Sequence, residues 1–81
     1  MFHIFILNAR LKIRDDVLYE NPCRCAVLPG TDGEFEILDF HKPIISRLKK
    51  GIILVDNDKE FPIAGGVAKM ERQSLVAIVD L

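Results

Sequence analysis

V-L-P-G-T-D-G-E-F-E-I-L-D-F-H-K-P-I-I-S-R-L-K-K-G, running from Val27 to Gly51, is the stretch whose reading decides the fold. Its opening, Pro29-Gly30-Thr31-Asp32-Gly33, predicts a tight turn. Proline presets φ, the two glycines accept positive φ, and aspartate can bond its own backbone. Glu34 to Leu38 then reads as a short strand. His41-Lys42-Pro43 is a corner, Pro43 to Leu48 an apolar run, and Lys49-Lys50-Gly51 a basic stop. Charge is sorted along the stretch. Residues 30–39 carry Asp32, Glu34, Glu36 and Asp39 and no base, while residues 41–50 carry Lys42, Arg47, Lys49 and Lys50 and no acid. This describes a shaped, charged surface held on a small β scaffold.

The same punctuation recurs on both sides. Downstream, Ile52 to Val55 is β-branched and too short for a helix. Asp56-Asn57-Asp58 is a hairpin turn, and Lys59 to Ile63 is its return strand, which Pro62 assigns to an edge or a bulge. Ala64-Gly65-Gly66 predicts a bend with bare backbone. Val67 to Met70 is a strand, Glu71-Arg72-Gln73 a turn, and Ser74 to Val79 the closing strand. Upstream, Arg24 to Leu28 is a strand candidate with Cys23, Cys25 and Val27 on one face and Arg24, Ala26 and Leu28 on the other. Val17-Leu18-Tyr19 is a short run that ends at Glu20-Asn21-Pro22. Leu11 to Arg14 alternates apolar and charged after a turn at Asn8-Ala9-Arg10, and Asp15-Asp16 signals another turn. Phe2 to Leu7 is the first strand. This strand and the last are apolar on both faces, so each is expected to be covered on both sides, by the fold or by another subunit. Turn signals at roughly every eight to twelve residues describe a single all-β domain, a sandwich or flattened barrel, over residues 1–81.

Composition narrows the function classes. A chain of 81 residues buries one modest core. Its 49% apolar content excludes a disordered tail, and its mean hydropathy of +0.20 points to apolar surface covered by a partner. A net charge of −1 gives no basic field for nucleic acid. No apolar run is long enough to span a bilayer, so direct lipid insertion is not expected. Met1-Phe2-His3-Ile4 lacks a basic n-region, so no signal peptide is expected. The near-adjacent Cys23 and Cys25 suit a reduced, cytoplasmic setting, because a bridge between them would strain the backbone.

Catalytic and metal readings are thin. A structural zinc site needs four ligands, and the chain offers Cys23, Cys25 and two distant histidines, His3 and His41. The cysteines read instead as small apolar residues on the buried face of a strand. His41 lies near Asp39 and Glu36 in sequence, but no motif places Ser46 or Thr31 as a nucleophile beside it. Gly30-x-x-Gly33 and Gly65-Gly66 precede no helix and read as turns rather than phosphate loops. Arg47, Lys49 and Lys50 have no stacking aromatics beside them. No cofactor, metal or active site is expected. The acidic turn and the double-faced strands favour a module that docks onto other proteins.

L-P-G-T-D-G-E-F, H-K-P-I-I-S-R-L-K-K-G and I-A-G-G-V-A-K-M together resemble the epsilon subunit of rotary ATP synthase, called delta in mitochondria. That family shows G-x-x-G-E-L/F-G, P-G-H-A-P-L-L, K-P-G and S-G-G-F in this order. The matching residues are Gly30, Gly33, Glu34 and Phe35, then His41, Pro43, Ile44 and Ile45, then Lys49 and Gly51, then Gly65, Gly66 and Val67. The chain departs from the pattern at Glu36, at Asp39-Phe40 in place of Pro-Gly, and at Lys50. The resemblance implies a β-sandwich of about ten strands, the family's amino-terminal domain without its C-terminal helical hairpin. It implies a non-catalytic subunit of the central rotor stalk that binds gamma and the c-ring and couples proton flow to ATP synthesis. By position it implies a c-ring contact at Thr31, Asp32 and Glu34 and a gamma contact at His41. It also implies a peripheral location on the cytoplasmic side of the inner membrane. The alternative from the residues alone is a free-standing β-sandwich adaptor in another complex.

Overall fold

The computed structural model describes residues 1–9 and 17–81. Nine strands fill the described residues: β1 Phe2–Asn8, β2 Val17–Cys23, β3 Cys25–Gly30, β4 Gly33–Leu38, β5 Ile44–Leu48, β6 Gly51–Val55, β7 Lys59–Ile63, β8 Gly65–Glu71 and β9 Ser74–Asp80. The strand expected at Leu11 to Arg14 and the turn at Asp15-Asp16 lie outside the described residues.

All nine strands belong to one sheet, in the order β2-β1-β9-β8-β5-β3-β6-β7, with β4 paired to the free side of β3. The sheet curls into a half-barrel. Curling brings the two ends of the path together: Tyr19 of β2 and Phe61 of β7 pack with ring centroids 4.8 Å apart. Side chains rather than ladder bonds bridge the sheet at that point. Pro62 lies in β7, the last strand of that path, as its missing N–H requires. β1 and β9 run parallel as neighbours, and every other pairing among the described residues is antiparallel.

Period-2 alternation fills the interior. Phe2, Ile4 and Ile6 of β1 meet Leu75, Ala77 and Val79 of β9, Ala68 and Met70 of β8, and Leu28, Ile37, Ile53 and Val55 from the other half. Burial of each large side chain contributes roughly 1.5–3 kcal/mol before entropy is counted.

The opposite faces of β1 and β9 behave differently from the expectation of full cover. His3, Phe5 and Leu7 are half-buried, and Ile78 is exposed. A row of in-register neighbours, Arg47–Val67–Ile78–Leu7–Val17, crosses β5, β8, β9, β1 and β2 on this outer face. Val67, Ile78 and Val17 in that row are each more than two-fifths exposed. The fold covers one face of these strands and leaves an apolar stripe on the other.

Three further expectations are corrected. β2 does not stop at Glu20-Asn21-Pro22 but runs to Cys23, because its position at the end of the path tolerates a proline. The two cysteines do not share a strand. Cys23 ends β2 and Cys25 begins β3, with a bend at Arg24 between them, and the most deeply buried β3 side chains are Ala26 and Leu28. The focal turn is also shorter than its sequence suggests. β3 continues through Pro29 to Gly30, so only Thr31 and Asp32 form the turn. Of its two glycines, only Gly33 has positive φ, at 127°.

Candidate functional site

Antiparallel pairing sorts the connections into two ends. At one end lie the β3–β4 turn with Thr31 and Asp32, the β5–β6 turn with Lys49 and Lys50, and the starts and finishes of β7, β8 and β9 around Ala64 and Asp80. At the other lie Arg24, the corner from Asp39 to Pro43, the β6–β7 turn at Asp56 to Asp58, and the β8–β9 turn at Arg72-Gln73.

At the first end, the acidic and basic halves that are separate in sequence become neighbours. The Thr31 N–H donates to the Arg47 carbonyl at 3.0 Å, and the Lys49 N–H donates to the Pro29 carbonyl at 2.8 Å. These two bonds tie the acidic turn to the basic one. Among the described residues, no ion pair joins Asp32 or Glu34 to Lys49 or Lys50. Both signs therefore remain available to a partner. The backbone at this end is crowded. A Cβ on Gly30 would stand 2.7 Å from the Gly33 carbonyl oxygen and 2.9 Å from the Phe35 ring. A Cβ on Gly66 would strike the Ile78 carbonyl oxygen. The expected bend falls at Ala64, and the bare backbone is a requirement of the close β8–β9 approach at Gly66 alone, since both glycines lie within β8 and a Cβ on Gly65 would make only ordinary contact.

The structure divides the expected ring-contact trio. Thr31, Asp32 and Glu34 are all exposed. Thr31 lines an open groove of about 440 Å³ with Arg47, Leu48, Gly66, Val67, Ile78 and Asp80. Asp32 stands at the tip of the turn, and Glu34 sits on β4 opposite Pro29, beside a separate shallow groove with Val27, Phe35 and Glu36. The groove at Thr31 joins the apolar stripe through Val67 and Ile78. No sequence motif marks it, because its walls come from Ala9 after β1, from the turn after β3 and from β5, β8 and β9.

His41 lies at the opposite end, half-buried. Its N–H donates to the Leu38 carbonyl at 3.2 Å, and its ring Nδ1 lies 2.7 Å from the Lys42 carbonyl, to which it donates. Asp39, its sequence neighbour, binds elsewhere: its Oδ2 accepts from the Met1 ammonium at 2.7 Å. The Ser46 hydroxyl donates to the Arg47 carbonyl at 3.1 Å. Histidine, carboxylate and hydroxyl are thus each engaged locally, and they do not assemble into a nucleophile–base pair.

The cysteines are free thiols in the packed interior of this second end. Burial pushes the Cys23 thiol up to about 12, with the charges of Asp56, Cys25 and Asp39 adding to the shift. Burial and the Asp56 charge also raise Cys25. Raised thiols are poor nucleophiles and poor metal ligands. Among the described residues, no group of three or more His, Cys, Asp or Glu side chains is arranged to hold a metal. Asp56 braces the β2–β3 bend. Its Oδ1 accepts from the Arg24 N–H at 2.7 Å and from the Cys25 N–H at 3.2 Å. Among the described residues, no helix is long and apolar enough to cross a membrane.

Residues 7–80 match the family model for the ATP synthase delta/epsilon chain β-sandwich domain. An ATP synthase epsilon chain 2 from Ralstonia nicotianae is 33% identical over 79 residues, covering 93% of this chain and 57% of that protein. The ATP synthase epsilon chain of Synechococcus elongatus is 31% identical over 77 residues, with 91% and 56% covered. The chain thus spans a little over half the length of these curated relatives. Two solved structures share its fold. A chain in the central stalk/c-ring structure of the Tetrahymena thermophila mitochondrial ATP synthase superposes with a TM-score of 0.77 at 8% identity, over 98% of this chain and 63% of that one. A chain in the OSCP/F1/c-ring structure of the Euglena gracilis mitochondrial ATP synthase gives 0.75 at 20% identity, over 98% and 51%.

Proposed function

The chain belongs to the family of ATP synthase delta/epsilon chain β-sandwich domains, and from that premise we propose that it is a non-catalytic subunit of a rotary ATP synthase stalk. In this reading it binds gamma on one side and the polar loops of the c-ring on another, and it passes torque between them. It lies peripheral to the membrane, on the cytoplasmic side in a bacterial cell, and is held there by its partners.

The observation that carries this reading beyond the family match is the open outer face of β8, β9 and β1. A curled sheet with a filled interior has no internal use for exposed Val67, Ile78 and Val17 in register. Such a stripe is what a protein partner covers. Gamma, as the stalk partner, would lie along this stripe, with His41 at its far corner. The end with Thr31, Asp32 and Glu34 suits the ring. Its acidic and basic turns are not paired with each other, its turn is short, and two hydrogen bonds to the β5–β6 connection stiffen it. A stiff, polar end transmits load to polar loops with little loss of side-chain entropy on contact.

The test is co-expression with the gamma and c subunits of the same genome. Co-purification with both is expected, along with loss of ATP-driven proton pumping when the chain is deleted. Failure to co-purify, with pumping intact after deletion, would favour an adaptor role in another complex. A second arm uses Glu34→Lys. It leaves the fold intact because Glu34 is exposed on β4, and it weakens coupling. Unchanged coupling would remove Glu34 from the ring contact.

A further inference from the structure

Phe40 serves no purpose in the isolated fold. Its side chain is 86% exposed, and its backbone lies at φ 61°. An aromatic residue enters the left-handed region only against steric repulsion, and a solvated ring returns no burial for it. The pattern that this chain resembles has Pro-Gly at Asp39-Phe40, and glycine takes this conformation freely.

The strained conformer is nonetheless held from both sides. The Phe40 N–H donates to Gln73 Oε1 at 3.1 Å. Gln73 is itself left-handed, at φ 63°, and its carbonyl accepts from the His3 N–H at 2.8 Å. One residue on, the His41 N–H closes the corner onto the Leu38 carbonyl. The first strand, the β4–β5 corner and the β8–β9 turn therefore all converge on Gln73, and the phenyl ring is presented outward from a braced base.

We propose that Phe40 is a specificity-determining anchor of this chain for gamma, inserting its ring into an apolar socket on that subunit. The proposal rests on the stalk reading above and deepens it. Position selects the occupant. Phe40 lies at the end opposite Thr31 and Asp32, away from the ring contact. Through Gln73 it adjoins the turn that joins β8 and β9, the strands that carry the exposed stripe. Pro43 and Ile45, the latter 71% exposed, add apolar surface beside the corner, and Lys69 and Glu71 of β8 next to them supply a polar border. Buried aromatic anchors surrounded by a polar rim are a recurrent form of interface hot spot, and a backbone already held in place lowers the cost of docking.

The test compares Phe40→Gly, Phe40→Asn and Phe40→Trp with the wild type, reading thermal stability and the dissociation constant for purified cognate gamma. Glycine and asparagine both accept the left-handed backbone, so both variants should melt at or above the wild-type temperature. Both should bind gamma at least about tenfold more weakly, and Phe40→Trp should retain most of the affinity. Wild-type affinity in Phe40→Asn, or a lower melting temperature in both small variants, would overturn the proposal and make Phe40 structural or idle. Wild-type dimerisation that Phe40→Asn abolishes, with gamma binding unchanged, would assign the ring to a second copy and also overturn it. No gamma binding by the wild-type chain would instead sink the stalk reading, and this role with it.

Discussion

The two ends of the half-barrel turn the chain by different means. All five glycines, Gly30, Gly33, Gly51, Gly65 and Gly66, lie at the end of the acidic and basic turns. Among the described residues, all five non-glycine positions with positive φ, namely Phe40, Asp56, Asn57, Arg72 and Gln73, lie at the other. At the first end backbones approach so closely that a Cβ does not fit at Gly30 or Gly66. At the second end the side chains are retained and put to use although the backbone is strained. Asp56 braces the β2–β3 bend, Gln73 holds the Phe40 corner, and Arg72-Gln73 makes a two-residue hairpin turn with both φ values positive, where Asn-Gly would be easier. The glycine end is built for closeness, and the other end for holding side chains in place.

The largest expected effect tests closeness. Gly66→Ala should cost about 3 kcal/mol or more in denaturant unfolding, because its Cβ meets the Ile78 backbone rather than a side chain that can move. A cost under about 1 kcal/mol would mean that β8 and β9 can part without penalty. Next comes Asp56→Ala. It leaves the part-buried Cys25 N–H without its acceptor, while water can replace the bond to the exposed Arg24 N–H, and should cost about 1–2 kcal/mol. A smaller and opposite change is expected at the strained turn. Arg72→Asn should stabilise by about 0.5–1 kcal/mol, because asparagine accepts φ 49° more readily than arginine. Destabilisation would show that Arg72, like Gln73, holds something in place.

The smallest effect at neutral pH concerns the thiols. Cys23 stays protonated in the fold up to about 12, whereas in the unfolded chain it ionises near 9. The unfolded state therefore releases its proton first as pH rises. Stability from this residue is intact below pH 9 and falls as pH climbs towards 12. Cys23→Ala should reduce the alkaline slope and leave the part that the raised Cys25 thiol contributes. At about pH 8, iodoacetamide should leave both thiols of the folded chain unlabelled. Rapid labelling would mean that the end containing Arg24 opens.

Much of this is legible in the residues. The hairpin at Asp56-Asn57-Asp58 and the strand Lys59 to Ile63 follow from turn chemistry and a proline. The alternation of Phe2, Ile4 and Ile6 follows from period 2. Pro29 reads as part of the turn because proline and glycine usually punctuate, yet it lies within β3, where its carbonyl still serves Lys49. Spacing alone sets the cysteines on one strand. It does not reveal the bend at Arg24, which depends on an aspartate distant in sequence. The groove at Thr31 is invisible in the sequence because five separate segments of the chain build it. The outer stripe is visible as apolar residues, but only register shows that they lie side by side.

In the proposed assembly, the tip of the glycine end and the rest of the molecule meet different partners: the ring at the Thr31-Asp32 turn, and the stalk along the outer face and at the far corner. Cysteine cross-linking in the assembled enzyme tests it most directly, since Cys23 and Cys25 are buried and give little background. Asp32→Cys should form a zero-length disulfide with a cysteine placed in the c-ring loop, and Arg72→Cys should not. The reverse pattern, or equal cross-linking from both ends, would overturn this assignment of partners.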